Sequence, residues 1–369
     1  MVGLGFDSGG SRTTFAIDRG GGAERPPGSE IAVSLSDARG ETSIEATIDW
    51  IVTVIADHAD DDEVVAWIGA AGFSASTAPA LGRQLTEQLR PVREAVEATG
   101  RNLEVFIAND AVSILKAPPL LGAGVAAIVG TGSAVLGAHP SCASGVVKRG
   151  GFEWLVSDEG SGVWMALECA RRVLRDVQQR GSAGYRSILL ERLADYLGVQ
   201  HADTREIAPE YQAMAKADLI ARRLSEPRED IKRFLANFVY PHLFDMAILG
   251  PTSSHEPIAA EVLNDSVRII SDNIAIVSDS LAAHTADEPN LRERLPVLVG
   301  GNIAANPHYS QLLRNSIAEK CRFVESVDFI GDAADELATL SKLYLESDHK
   351  QRANIAKSFD PLHPVLRLI

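Results

Sequence analysis

The sequence predicts an α/β protein made of two repeated units, each opening with a strand, a glycine- and hydroxyl-rich turn and a returning strand. Three observations carry this reading. The stretches GFDSGGSRTTFAI near the start and AAIVGTGSAVLG after Gly124 share one pattern. Short apolar runs alternate with segments whose apolar residues recur at helical spacing, as in a sheet covered by helices. Pro118-Pro119 then breaks the chain between the two copies. A chain of 369 residues has room for two domains.

Residues 2–6 form the first expected strand, 7–13 a tight polar turn with Asp7 at the strand's end, and 14–17 the returning strand. Residues 19–43, rich in Gly, Pro and Ser, read as a loop. Ile44, Ile48, Ile51, Val52 and Ile55 then mark a helix behind Thr42 and Ser43 as candidate caps. A strand over 64–68 ends at Gly69-Ala70-Ala71-Gly72. Leu81, Leu85, Leu89, Val92 and Val96 mark a helix with Pro91 as a candidate interruption. A strand over 103–108 delivers Asn109 and Asp110 at its C-terminal end.

In the second unit residues 125–129 drive into the turn Gly130-Thr131-Gly132-Ser133. A short polar loop leads to VVKRGGFEWLVSDEGS, and a helix after Ser161 turns Trp164, Leu167, Leu174 and Val177 inward. Residues 185–285 read as mostly helical. A strand over 295–299 ends in Gly300-Gly301-Asn302, and Tyr309, Leu312, Leu313 and Ile317 mark the next helix. A last strand covers 322–327 and a last long helix 332–345. The pattern alone does not place the tail 346–369.

Composition narrows the function. With 46% hydrophobic and 23% charged residues the chain is of ordinary globular type. A net charge of −15 disfavours nucleic acid, whose binding relies on clustered Lys and Arg, but leaves small anions open. Cys142, Cys169 and Cys321 are odd in number and form no CxxC pair, so neither a disulfide framework nor a zinc or iron–sulfur site is indicated. None of the nine histidines is spaced as a metal set. No apolar run approaches membrane-spanning length and the first residues lack a basic leader segment, so a reduced cytoplasm and no membrane partner are expected.

The glycines at 130 and 132 let backbone N–H groups approach an anion closely, because no Cβ intervenes. Thr131 and Ser133 add hydroxyls, and some 25 residues on, Asp158 and Glu159 precede Gly160-Ser161-Gly162 at the mouth of a helix. An anion cradle followed by paired carboxylates suggests phosphate on one side and a polyhydroxyl or metal on the other. Two such turns facing across a cleft would clamp one polyphosphate. Plainer readings stand beside these. Asp7 can bond its own turn backbone, Asp110 can cap the helix over 111–116, and Asp158 and Glu159 suit a helix N-terminus. Arg12 is a phosphate contact or a solvated turn residue. Lys148 and Arg149 are expected on the surface. Trp154 and Trp164 are expected in the core, with Trp154 also open as a sugar platform.

Together GFDSGGSRT, ANDAVS, IVGTGS, GGFEWLVSDEGSG and VLVGGN resemble, in order and spacing over residues 1–345, the N-acetylglucosamine kinase-like branch of the BadF/BadG/BcrA/BcrD ATPase family. The resemblance implies the actin and hexokinase-like (ribonuclease H-like) fold, with two duplicated α/β domains around a nucleotide cleft. Residues 1–118 would hold the first phosphate loop and the catalytic aspartate, with a helix in 346–369 as a candidate to complete this domain. Residues 119–345 would hold the second phosphate loop, the helical insertion 185–285 and the adenosine motif. ATP and Mg²⁺ are the implied cofactors, and the implied reaction is phosphorylation of an amino sugar, N-acetylglucosamine or glucosamine, at its primary hydroxyl by a cytoplasmic homodimer.

Residue by residue, the resemblance makes Asp110 the general base and assigns Asn109, Gly151, Asp158 and Glu159 to the sugar. Gly9, Gly10, Ser11, Arg12, Thr13, Gly130, Thr131, Gly132, Ser133, Gly300, Gly301 and Asn302 fall to the nucleotide, and Asp7 to Mg²⁺, which keeps several waters and takes one or two carboxylates. The chain has Ser157 where the family often has Gly and Ala134 where it often has Asn, so the sugar side is the less conserved with respect to that pattern. Two alternatives accompany this reading. One is an ATPase that activates an acyl-CoA reductase or dehydratase, which ordinarily needs cysteines bridging a dimer. The other is a sugar or nucleotide sensor without turnover.

Overall fold

The computed structural model describes residues 1–10, 12–35, 41–59, 63–142, 146–152, 156–181, 183, 185–199, 206–226, 231–248, 256–284 and 294–369. The chain opens with β1 (Val2–Ser8) and β2 (Thr13–Asp18), an antiparallel hairpin, followed by the two-residue strands β3 (Ala23–Glu24) and β4 (Glu30–Ile31) on β2. Helix α1 (Glu41–Ala59) leads to β5 (Val64–Ala70), and α2 (Ala78–Ala98) to β6 (Leu103–Asn109). β5 and β6 run parallel to β1. All seven residues of β5 are buried, as expected of a parallel strand covered on both faces. Helix α3 (Asp110–Lys116) ends this run.

The second sheet repeats the path. β7 (Gly124–Val129), β8 (Ser133–Ala138) and β9 (Val146–Gly150) form an antiparallel meander. Helices α4 (Gly162–Arg180), α5 (Ile188–Tyr196), α6 (Gln212–Ser225), α7 (Ile231–Phe238), a π-helical turn at Val239–Leu243, α8 (Phe244–Ile248) and α9 (Pro257–His284) follow. Then β10 (Leu295–Gly300), α10 (Pro307–Lys320) and β11 (Val324–Phe329) place two strands parallel to β7. The strand orders are β12-β6-β5-β1-β2-β3, with β4 also on β2 and β12 (Val365–Arg367) antiparallel at the edge, and β11-β10-β7-β8-β9, so both sheets share a three-stranded meander extended on its other side by two parallel strands. The internal repeat of the sequence is thus a repeat of topology.

Several elements differ from the sequence expectation. Thr42 and Ser43 lie inside the first turn of α1, and residues 36–40, which precede it, are outside the described set. Pro91 stays within a continuous α2, on its exposed face, where water can serve the carbonyl its ring leaves without a partner. β9 is a strand that the polar run VVKRG did not announce. Helix α11 (Ala334–Glu346), expected with the second unit, lies across the first sheet. It can approach because a Cβ at Gly5 would stand 2.1 Å from the Ala338 nitrogen, and one at Gly3 2.5 Å from the Ala338 oxygen. The tail forms α12 (His349–Ala356) and then β12 (Val365–Arg367), which pairs antiparallel with the β6 edge; the expected last strand at 322–327 is therefore followed by another.

Helices α3 and α11 pack between the sheets. One apolar cluster joins Trp67 and Phe106 of the first sheet, Val112, Leu115, Leu337 and Leu340 of the two helices, and Leu136 and Leu298 of the second sheet. This layer joins β5 and β6 of the first sheet to β7, β8 and β10 of the second.

Candidate active site

Strand alternation sorts the first turn. Asp7 pairs with Thr14 and Ser8 with Thr13 across the hairpin, so the two pairs face opposite ways. The Thr13 hydroxyl is buried, donates to the Val33 carbonyl (2.9 Å) and bonds Ser8 Oγ (3.0 Å). Thr14 donates instead to Asp332 Oδ1 (3.1 Å), at the start of α11, and the Ala333 N–H donates to Asp7 Oδ2 (2.8 Å). Of these two hydroxyls it is that of Thr14 which shares the face of Asp7, while the Thr13 hydroxyl is committed to Val33 and Ser8. Arg25, just after β3, closes the group, with Nη1 and Nη2 on Asp332 (both 2.7 Å) and Nε on Asp335 (2.8 Å). Arg12 is half-exposed and pairs with Glu30 at 3.4 Å. Ser11 lies outside the described residues.

These carboxylates have shifted affinities for protons. Burial, with Asp332 and Asp110 nearby, pushes Asp7 up to about 7 against the pull of the Ala333 N–H and Arg12. Burial also acts on Asp332, but the Arg25 fork holds it below the ordinary carboxylate value. Asp110 begins α3 just past the end of β6. Asn109 is the cap, its Oδ1 accepting from the Ala111 N–H (3.1 Å), and Asp110 Oδ1 accepts from the same group (2.9 Å). Burial raises the Asp110 pKa, while the Ala111 N–H and then Lys148 oppose the rise.

The second turn is fastened on both sides. The Gly130 N–H donates to Gly132 O, the Gly162 N–H to Gly130 O (both 2.9 Å), and the N–H groups of Ile303 and Ala304 to Val129 O (3.1 and 3.2 Å). Glycine is required where the segments meet. A Cβ at Gly301, whose φ is +105°, would stand 2.5 Å from Val129 O; one at Gly130 would be 3.1 Å from Asn302 Oδ1, and one at Gly132 2.6 Å from Asp158 Oδ2. The Ser133 hydroxyl is committed to the Glu159 carbonyl (2.9 Å), and Glu159 itself is exposed. The two glycine turns do face each other: a Cβ at Gly10 would lie 3.2 Å from the Thr131 Cβ. Gly300 lies instead against Ile114 of α3 and Ile330.

Lys148 contradicts its expected surface position. It pairs with Leu136 in the β8–β9 ladder and so shares the face that packs toward α3. Burial lowers its pKa, opposed by Asp110 and then Asp158, while Arg149 points the other way and is exposed. Lys148, Thr14, Asp332 and Arg25 are the site residues missed from sequence. For Lys148 and Thr14 the signal was strand register, and for Asp332 and Arg25 the pairing exists only once α11 crosses to the first sheet. Trp154 is outside the described residues, and Trp164 is half-buried on α4. Cys142, Cys169 and Cys321 are all buried. Among the described residues no three His, Cys, Asp or Glu side chains form a metal-holding group, and no helix is long and apolar enough to cross a membrane.

No family model matches the chain, and no curated protein matches it in sequence. Solved structures do. A Porphyromonas gingivalis protein provisionally assigned as an N-acetylglucosamine kinase matches over 91% of this chain and 97% of its own, with a TM-score of 0.58 at 17% identity. A Chromobacterium violaceum protein with the same provisional assignment matches over 92% and 98%, with a TM-score of 0.53 at 18% identity. This chain has the actin/hexokinase-like fold. The hexokinase of Schistosoma mansoni, complexed with glucose, agrees over 92% of this chain and 85% of its own (TM-score 0.50, 14% identity). At these identities the likeness carries the fold alone.

Proposed function

We propose that the protein is an ATP-dependent kinase of an amino sugar, N-acetylglucosamine or glucosamine, phosphorylating the primary hydroxyl. The observation that carries this is the approach of Gly10 to Thr131, which sets two glycine turns against each other beside Asp7 and Asp110. The site fits Mg²⁺-ATP in its donor chemistry. The turns have glycine where a Cβ would fill the space, and Asp7 carries a raised pKa that a cation would relieve. Mg²⁺ asks for only one or two protein carboxylates beside phosphate and water, so a larger acidic cluster is not needed. Asp7 would hold it, and when bound it would neutralise the phosphate charge that builds up during transfer.

The residues of the chain then divide the work. Gly10, Thr131 and Gly132 cradle the phosphates with backbone N–H groups. Asp158, against Gly132, accepts from acceptor hydroxyls together with Asn109 and the backbone at Gly151. Asp110, fixed at the end of β6 and start of α3, accepts the proton of the attacking hydroxyl, and burial, which raises its pKa, makes it a better proton acceptor than a solvated carboxylate. Gly301 and Asn302 line the adenosine end.

A coupled assay of ADP release across a panel of amino sugars, their N-acetyl forms and glucose tests the reading. Sugar-dependent ADP formation that requires Mg²⁺ is expected. ADP release indifferent to sugar would favour an ATPase instead, and sugar binding with no ADP release would favour a sensor.

A further inference from the structure

We propose that Lys148 selects the acceptor: its ammonium, carried on the face of β9 that packs toward α3 and held at the Gly151 turn, donates to a neutral sugar and turns away one that carries a protonated amine. This deepens the sugar-kinase reading and rests on it. The lysine is held rather than free. Its Nζ donates to the Gly151 carbonyl (3.0 Å) and lies 4.6 Å from the centre of the Phe152 ring. Gly150 and Gly151, at φ +70° and +68°, fold the chain over its stem, and a Cβ at Gly151 would come within 3.2 Å of Lys148 Cε. The strand register fixes the other end, through the Leu136 pairing.

An ammonium has three N–H bonds. One is spent on Gly151, which leaves two for the cleft. The charge environment then decides the acceptor. Asp110 and Asp158 by themselves would attract a cationic sugar, and the charge of Lys148 acts on both and offsets one of theirs. Like charges brought together in a partly desolvated cleft discriminate strongly, by repulsion of the wrong ligand rather than by new contacts with the right one. An N-acylated amine or a plain hydroxyl carries no charge and escapes this.

The test compares N-acetylglucosamine, glucose and glucosamine as acceptors in the wild type, Lys148→Met and Lys148→Arg. The wild type should give higher kcat/KM with both neutral sugars than with glucosamine, and a preference for glucosamine over glucose overturns the inference without any variant. Lys148→Met keeps the stem and removes the charge, so the ratio of N-acetylglucosamine to glucosamine kcat/KM should fall about tenfold, mainly through KM. Lys148→Arg should retain the wild-type ratio. If both acceptors lose activity together in Lys148→Met with the ratio unmoved, the lysine is only structural and the inference fails while the kinase reading stands. If the wild type forms no ADP with any sugar, the kinase reading fails and takes this inference with it.

Discussion

In the first half of the molecule the end of β1 carries charge: Asp7, fixed by the Ala333 N–H, stands beside Asp332 and Asp110. In the second half the turn after β7 carries no acid of its own. It carries geometry, with Gly130 and Thr131 held by hydrogen bonds from α4 and Gly130 set against the Gly301-Asn302 turn. The same chain path therefore supplies a carboxylate beside one turn and a fastened glycine backbone in the turn that faces it. Helix packing differs in the same sense. On the first sheet α11 lies with its backbone on Gly3 and Gly5, whereas on the second α9 meets Gly137 through the Val277 and Leu281 side chains. A contact made through side chains can relax by a rotamer change, and one made through backbone cannot. A duplicated topology thus leaves each copy free to specialise, provided the elements between the sheets keep the two turns opposed.

The largest effect should come from the charged half. Asp110→Asn should lower sugar phosphorylation by about 10² to 10⁴-fold, or roughly 3–5 kcal/mol of barrier, with nucleotide affinity near wild type. Stability should hardly change, because Asn109 is the cap of α3 and stays in place. Measuring kcat, nucleotide binding and Tm together separates base from cap. An active Asp110→Asn protein would move the base elsewhere, with Asp158 as the next candidate.

Next in size is the backbone contact. Gly5→Ala places a Cβ 2.1 Å from the Ala338 nitrogen and 2.2 Å from Ala334 O, so α11 has to move bodily. A loss of about 3 kcal/mol in denaturant unfolding is expected, at the upper end for overpacking. Gly137→Ala, whose close contacts at 2.4 and 2.7 Å are with side chains and whose nearest backbone atom, Gly124 O, is at an ordinary 3.4 Å, should cost less. Equal losses at the two positions would erase the contrast between the halves.

The smallest effect sharpens the electrostatic side. Glu336, in the first turn of α11, has a buried Oε2 with no hydrogen-bond partner among the described residues, and burial, with Asp335 and Asp332 near, raises its pKa to about 7. The folded chain therefore holds this proton at pH values where the unfolded chain has lost it. The stability it contributes is full below the ordinary carboxylate range and is lost as pH rises toward about 7. Glu336→Gln should match the wild type near pH 4 and exceed it by about 2 kcal/mol at pH 8. A gap between the two proteins that does not widen with pH would show that Glu336 is relieved in some other way.

Much of the fold was legible in the sequence because its signals are local. An apolar run followed by a glycine turn and a second apolar run specifies a hairpin whatever surrounds it, and both copies of that pattern formed as read. Asp7, Asp110 and the glycines at 130 and 132 were legible for the same reason: each stands at the end of a strand, where the chain must turn. The alternation within β2 was also present, yet without the register of β1 it could not tell Thr13 from Thr14.

What the sequence by itself determined was the repeat, the strand ends and the residue types gathered at them. What only the tertiary structure decided was which residues share a face and which distant segments meet. Lys148 sits two residues before a Gly-Gly turn and looks like any solvated lysine, until β9 pairs with β8 and turns it toward α3. Arg25 and Asp332 are more than three hundred residues apart and become an ion pair only when α11 crosses onto β1. The tail likewise finds its role as a strand on the β6 edge. Such pairings are set by burial of whole helix and strand faces, a non-directional force summed over many residues, and so they leave no mark on the spacing of any one segment.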